Sequence, residues 1–235
     1  RDWFTVKFIQ MAALALVFAS SQVLAQDYEV GRKAYDAGNY EAALEEWRPL
    51  AEQGDARAQF NLGRMYFEGL GVPQDHAEAA KWYRVAAEQG SALAQYNLGL
   101  MYFEGLGVPQ DYVQAVKWSR LAAEQGYAAA QHNLGVMYRE GQGVPQDYAS
   151  AYMWSRFAAE QGYALAQIGL GYAYSEGQGV PQDYASAYMW YSLAAEQGYA
   201  RGGKGRDFVA ADMTPAAIEE AERRVGFCWL TGNCN

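Results

Sequence analysis

The 235-residue chain is 51% hydrophobic, and its 27 Asp and Glu outnumber its 18 Lys and Arg to give a formal net charge of −9. A surplus of carboxylates repels phosphate backbones and anionic lipid, which argues against nucleic acid and membrane surfaces as partners. The apolar share suffices for a continuous core, best arranged as one elongated domain rather than two globular ones.

Arg1 and Lys7 flank the start of an apolar run from Phe8 to Ala19, followed by Ser20, Ser21 and Val23-Leu24-Ala25. A charged start, a short apolar middle and small residues at the end describe an export signal peptide at residues 1–25, cut after Ala25 to leave Gln26. The other reading, a membrane anchor, asks for roughly 20 apolar residues, and this run is shorter. The expectation is a bacterial periplasmic or secreted protein with no stable membrane insertion after cleavage. The leader is itself net positive, so the remainder is more acidic than the whole.

Residues 26–55 read as a degenerate N-terminal capping repeat. With Gly54 aligned to Gly90, Tyr40 falls at His76, Ala43 at Ala79 and Gly31 opposite Gly63, and the loop from Asp36 to Asn39 is four residues shorter than Glu68–Asp75. End units of a repeat stack are atypical because they cap it. Pro49 falls inside the second helix of this unit, where it is expected to kink or distort the backbone.

From residue 56 to 198 the sequence recurs every 36 residues: Trp82, Trp118, Trp154 and Trp190 mark one position, and Gly-Val-Pro-Gln-Asp starts at Gly71, Gly107, Gly143 and Gly179. A period in this range describes a solenoid, whose units bury their apolar faces only against neighbours. In the copy Ala92–Gly126, Ala94, Leu98, Met101 and Tyr102 form the stripe of a first helix. Gly105 and Gly107 end it, and Pro109 cannot continue it. Asp111 then caps a second helix that turns Ala115, Trp118, Ala122 and Ala123 inward and closes at Gly126. Gly63, Gly99, Gly135 and Gly171 lie mid-helix, where glycine costs about 1 kcal/mol against alanine; their recurrence predicts close helix contact. The carboxylates Glu68, Glu104, Glu140 and Glu176 read as acceptors that fix the loops. The predicted architecture is all-α, a solenoid of antiparallel helix pairs.

The pattern A-x-A-Q-x-N-L-G-x-M-Y-x-E-G-x-G-V-P-Q-D-Y-x-x-A-x-x-W-x-x-x-A-A-E-Q-G fills four copies between Ala56 and Gly198. It resembles the Sel-one-like repeat (SLR), a relative of the tetratricopeptide repeat (TPR) with a longer inter-helix loop. The resemblance implies a right-handed α/α superhelix of the SLR/TPR kind that serves as an interaction scaffold, and it names no partner. Some cysteine-rich members of that family are linked to penicillin binding and β-lactam hydrolysis. Those carry cysteine pairs inside each repeat, and the repeats here have none.

Gln59, Leu62, Tyr66, Glu68, Trp82, Ala86 and Glu88 keep their identity in all four copies, which suits packing. Other first-helix positions vary. Arg57 becomes Leu93, Ala129 and Leu165; Phe60 becomes Tyr96, His132 and Ile168; Arg64 becomes Leu100, Val136 and Tyr172; Phe67 becomes Phe103, Arg139 and Ser175. These positions fall three or four apart and share one face, which by resemblance to TPR proteins lines the concave groove. The candidate partner-binding residues are Arg57, Phe60, Arg64, Phe67, Leu93, Tyr96, Leu100, Phe103, His132, Arg139, Ile168 and Tyr172, rich in the aromatic and Arg types that anchor protein or peptide partners. The competing reading is a tolerant surface that drifted after duplication. Phe60, Tyr96 and Phe103 on an outward face favour binding. Copies three and four are identical over Glu140–Trp154 and Glu176–Trp190, which reads as a recent duplication, and the Trp positions read as structural.

Residues 199–235 leave the repeat as capping helices and a cysteine-bearing tail. Arg201 to Gly205 read as an irregular helix start, and Thr214-Pro215 opens a further helix. Cys228 and Cys234, the only cysteines, read as a disulfide in an exported chain, a small loop worth roughly 2 kcal/mol. Free thiols, or a metal pair on an unsuitable Cys-x5-Cys spacing, are the alternatives. His76 and His132 occupy non-equivalent positions, and no catalytic triad, H-E-x-x-H, P-loop or dinucleotide fingerprint is present. No catalytic residue, metal or cofactor is expected, and His132 reads as a binding contact. The functional expectation is a non-enzymatic exported adaptor that grips a protein or peptide. The alternative is a cell-wall or β-lactam ligand protein.

Overall fold

The computed structural model describes residues 28–231, without the side chains of 229 and 230; the proposed leader, its cleavage point and Cys234 lie outside the described residues. Among the described residues there are twelve helices and no strand. In chain order they are α1 (28–36), α2 (Tyr40–Glu52), α3 (Ala56–Glu68), α4 (His76–Glu88), α5 (Ala92–Glu104), α6 (Tyr112–Glu124), α7 (Ala128–Glu140), α8 (Tyr148–Glu160), α9 (Ala164–Glu176), α10 (Tyr184–Glu196), α11 (Ala200–Ala210) and α12 (Pro215–Thr231). They pack in sequential pairs as an SLR/TPR-like solenoid. The described residues fall into two compact units rather than one: residues 28–94 with 106–108, and residues 95–105 with 109–231. Such a division suits repeats, which touch only their neighbours.

One set of local interactions recurs in each repeat. An aspartate caps each second helix; Asp111 accepts from the amides of Val113 and Gln114, and Asp75, Asp147 and Asp183 do the same work at α4, α8 and α10. The backbone amide of that aspartate donates to the last turn of the first helix, at 2.9 Å for Asp75 to Tyr66. The expected loop-fixing carboxylates are not what holds the loop. Glu68 and Glu140 pair with Arg64 and Arg139, whereas the loop glutamines Gln74, Gln110, Gln146 and Gln182 donate to backbone carbonyls seven residues earlier at 2.7–2.8 Å. An amide side chain can donate to a carbonyl and a carboxylate cannot.

The mid-helix glycines sit where close contact was expected. A Cβ on Gly99 would lie 2.8 Å from Ser119 Oγ, and one on Gly63 would lie 2.7 Å from the Tyr83 ring. The loop glycines make a contact of another kind. Gly107 has φ +68°, and a Cβ on it would collide with the backbone of His76; Gly143 and Gly179 meet Tyr112 and Tyr148 in the same way. The loop of each repeat is thereby seated on the start of the preceding repeat's second helix.

In the first unit, Ala43, Trp47, Leu50, Ala58, Leu62 and Met65 make the core. Trp47 fills the capping unit: its indole N–H donates to the Tyr28 carbonyl at 3.1 Å, and its ring packs on Tyr28 and Tyr35. Helix α2 continues through Pro49, whose carbonyl still accepts from Gln53 at 3.0 Å. The proline lies in the last turn, so only one helical donor is missing.

In the second unit, Ala166, Leu170, Trp190, Leu193 and Val225 belong to one cluster, and Ala187, Tyr188, Tyr191, Val209 and Ala221 to another. Trp118 and Trp190 are buried as expected, whereas Trp154 is only partly buried and packs edge-on against Phe157. Residues 201–205 are not irregular: α11 runs unbroken through three glycines. Gly202 lies against the Tyr191 carbonyl and Gly205 against the Tyr191 ring, at distances from which a Cβ is excluded. Close packing onto α10 thus offsets the poor helix propensity. Thr214 caps α12 through the Ala217 amide at 3.3 Å, with Pro215 as its first residue.

Candidate functional site

Among the variable first-helix positions the aromatic Phe60, Tyr96 and Phe103 are partly covered, whereas Arg57, Arg64, Leu93, Leu165 and Tyr172 are exposed. In the first unit, Phe60 packs on the Tyr83 ring and Phe67 stacks on His76 at 4.9 Å. Arg57 lies over the Tyr28 ring at 4.2 Å while bound to Asp55, and Arg64 lies over Tyr35 while paired with Glu68. Leu93 is 45% exposed. In the second unit, Tyr96 meets Tyr127 edge-on and Phe103 tilts against Tyr112, each at about 5 Å between centroids. Phe60, Tyr96 and Phe103 are therefore half-buried, each held by a second ring. Leu100 is half-buried as well.

The cause is visible at the helix starts. Tyr127 and Tyr163 occupy the N-cap positions of α7 and α9 without any side-chain capping bond. Their rings instead pack on the variable residue of the preceding first helix, Tyr96 and His132 respectively. A capping bond worth about 1 kcal/mol is exchanged for ring burial between repeats.

Four predicted residues do come together. His132 and Arg139 on α7, and Ile168 and Tyr172 on α9, line one cavity of about 650 Å³ in the second unit, closed by Tyr148 of α8 and Arg201 of α11. Tyr96, Leu100 and Phe103 lie outside its lining. Arg201 falls in the predicted capping segment and Tyr148 in the duplicated stretch Glu140–Trp154, and neither is among the predicted binding residues. A signal was available: Arg201 stands at the Arg57 position of the next repeat.

Inside the cavity Tyr172 is 42% exposed and Leu165 38%, so apolar surface is on offer. Arg139 is tied to Glu140 at 2.9 Å. His132 is largely buried, and its Nδ1 has no partner among the described residues. Burial, and secondarily the Arg139 charge, pull its pKa down to about 4, so the imidazole is neutral at pH 7. The Nδ1 atom is shut off from solvent, so what His132 lends the cavity is a neutral ring. Among the described residues no group of His, Cys, Asp and Glu could hold a metal ion, and no helix is long and apolar enough to cross a membrane. Cys228 is buried on α12 and is not a free thiol; Cys234, its expected partner, lies outside the described residues.

Helix pairs that recur every 36 residues, joined by loops that share Gly-Val-Pro-Gln-Asp, define a repeat scaffold of the TPR-like class. The chain belongs to the Sel1 repeat family, which matches residues 56–91, 92–127, 128–163 and 164–199. It is similar to a protective antigen of uropathogenic Escherichia coli strains with an SLR fold, at 35% identity and a TM-score of 0.79 over 88% of this chain and 46% of that one. It is also similar to a Sel1 repeat protein from Oxalobacter formigenes, at 39% identity and a TM-score of 0.71 over 74% of this chain and 72% of the other. A 56-residue stretch is 43% identical to an exopolysaccharide production negative regulator of Rhizobium leguminosarum bv. viciae, covering 24% of this chain and 21% of the regulator. The chain thus spans less than half of the antigen and about a fifth of the regulator.

Proposed function

We propose that this chain is an exported, non-enzymatic adaptor that holds a segment of a partner protein in the cavity between α7, α9 and α11. The observation that carries the reading is the convergence of His132, Arg139, Ile168 and Tyr172, all at positions that differ between repeats, on one cavity of about 650 Å³. Sel1 repeats mediate protein interactions generally, and the lining offers exposed tyrosine and leucine surface with arginines, the residue types that dominate protein interfaces. A regulatory role of the sort described for the Rhizobium relative fits an adaptor.

The test uses a photoreactive residue at Tyr172, with Phe157, an exposed α8 residue, as the control position. The chain, with an initiating methionine added, is expressed in a bacterium. We expect a partner crosslinked from position 172 and not from 157, and lost when Arg139 and Leu165 are replaced by alanine. A partner crosslinked equally from both positions would overturn the site. Export is checked on the same material by mass spectrometry: a mature N-terminus at Gln26 supports it, and an intact leader on cytoplasmic protein refutes it.

A further inference from the structure

A second cavity, of about 630 Å³, lies among α8, α9, α10 and the cap helix α12, and it shares no lining residue with the first. Its lining is apolar in part: Trp190 and Met189, 3% and 4% exposed, and the Phe227 ring of α12, 53% exposed. It also carries Arg156, Arg223 and Arg224 against a single lining carboxylate, Glu220. Beyond the lining Glu160 and Glu219 pair with Arg156 and Arg223, so the site offers guanidinium donors rather than an excess of positive charge.

The lining donors outnumber the acceptors. Both oxygens of Glu220 are taken, one by Arg223 at 2.6 Å and one by Arg224 Nε at 3.2 Å. Arg156 pairs with Glu160, which lies outside the lining. Asp183 feels the charge of Arg224, but its oxygens are occupied by Ser186 and the amides of the α10 start. Each guanidinium has five N–H groups, so donors remain on Arg223 and Arg224 after their bonds to Glu219 and Glu220. Tyr152 and Tyr174 join their hydroxyls at 2.9 Å; two hydroxyls sharing one bond retain one further O–H to donate. The ion pairs are solvent-exposed and individually weak, so an incoming anion competes with them at small cost.

From this we infer that the α8–α12 cavity is a binding site for a carboxylate carried on an apolar body, such as the C-terminus of a peptide ending in an aromatic residue or a small acid of the same shape. The arginine fork takes the carboxylate, and Trp190, Met189 and Phe227 take the apolar group. The site stands apart from the proposed partner cavity, so either can fail without the other.

The experiment is calorimetric titration of the purified chain with acetyl-Ala-Ala-Phe as the free acid, with its C-terminal amide, and with N-acetylphenylalanine. The expected result is binding of the acid at least about tenfold tighter than of the amide, as loss of charge-assisted bonds dictates, and weakening by added salt. The Arg223→Gln/Arg224→Gln pair, and separately Phe227→Ala, should weaken the acid by a similar factor with an unchanged thermal midpoint, since these side chains are exposed. N-acetylphenylalanine binding as tightly as the tripeptide acid assigns the site to small acids, and a clear tripeptide advantage assigns it to chain ends. Equal binding of acid and amide, indifference to the arginine substitutions, or no binding of any probe at millimolar concentration overturns the inference.

Discussion

Gln131 is 6% exposed, and both ends of its amide are used: Nε2 donates to the Ala123 carbonyl at 3.1 Å, and Oε1 accepts from Gln161 at 2.7 Å. Gln59 and Gln167 are placed alike, so a buried amide in each of these repeats gives a second donor to a carbonyl at the end of the preceding second helix, which already accepts a backbone amide, that of Gly126 for Ala123 at 2.9 Å. Gln131→Leu keeps the volume and removes the donor. Losing these two hydrogen bonds, at about 0.5–1.5 kcal/mol each, should give a melt lower by several degrees; an unchanged midpoint would mean that the bonds made by Gln131 contribute nothing to stability. His132 makes the second residue-scale prediction. Its folded pKa of about 4 lies below its usual 6.5, so the unfolded chain binds the proton more readily between those values. The contribution of His132 is therefore complete above pH 6.5 and is lost as pH falls toward 4, roughly 2 kcal/mol of it between pH 6.5 and pH 5. Melts of the parent and His132→Leu at pH 7 and pH 5 check this: the parent should lose more stability on acidification, and parallel losses would sink the assignment.

At the scale of elements, the loop glycines separate two effects that sequence merges. Gly143 and Gly162 both have positive φ, but a Cβ on Gly162 meets nothing within 4 Å whereas one on Gly143 runs into the Tyr112 backbone. Gly162→Ala should cost the left-handed strain alone, about 1 kcal/mol. Gly143→Ala should cost about 1–3 kcal/mol more, because backbone cannot step aside as a side chain can. Denaturant midpoints of the two variants give the difference directly, and equal values would remove the loop from the stacking. Helix starts, stops and the inward stripe were legible because they depend on neighbours in sequence. The stacking role of Gly143 was not, because its contact lies one repeat away. Residues 152–154 and 188–190 show the same limit: both read Tyr-Met-Trp, yet Met153 is 40% exposed and Met189 4%. Helix α12 packs on α10, and only the second copy benefits. Likewise the four residues that meet in the α7–α9 cavity were legible as variable positions, while Arg201 was hidden by the glycines that follow it.

At the scale of the molecule, nearest-neighbour packing makes a repeat a removable part. Residues 128–163 comprise α7, α8 and their loops, and deleting them joins Tyr127 to Ala164 in place of Tyr127-Ala128. The junction is thus Gly-Tyr-Ala before and after. The new neighbours also keep their contacts in kind. Gln167 would find Ala123 where it now finds Ala159, and Gly179 would meet the Tyr112 backbone as Gly143 now does. Stability in a repeat stack is approximately a sum of unit and neighbour terms, so the shortened chain should fold with unchanged helicity per residue and melt cooperatively at a lower temperature. It would nonetheless lack His132 and Arg139, and with them one wall of the proposed partner cavity. The deletion therefore predicts a folded protein that no longer crosslinks its partner from position 172. Circular dichroism and the crosslinking assay on the same preparation read both halves: an unfolded product would show that α7 and α8 are not interchangeable with their neighbours, and retained crosslinking would move the binding site elsewhere.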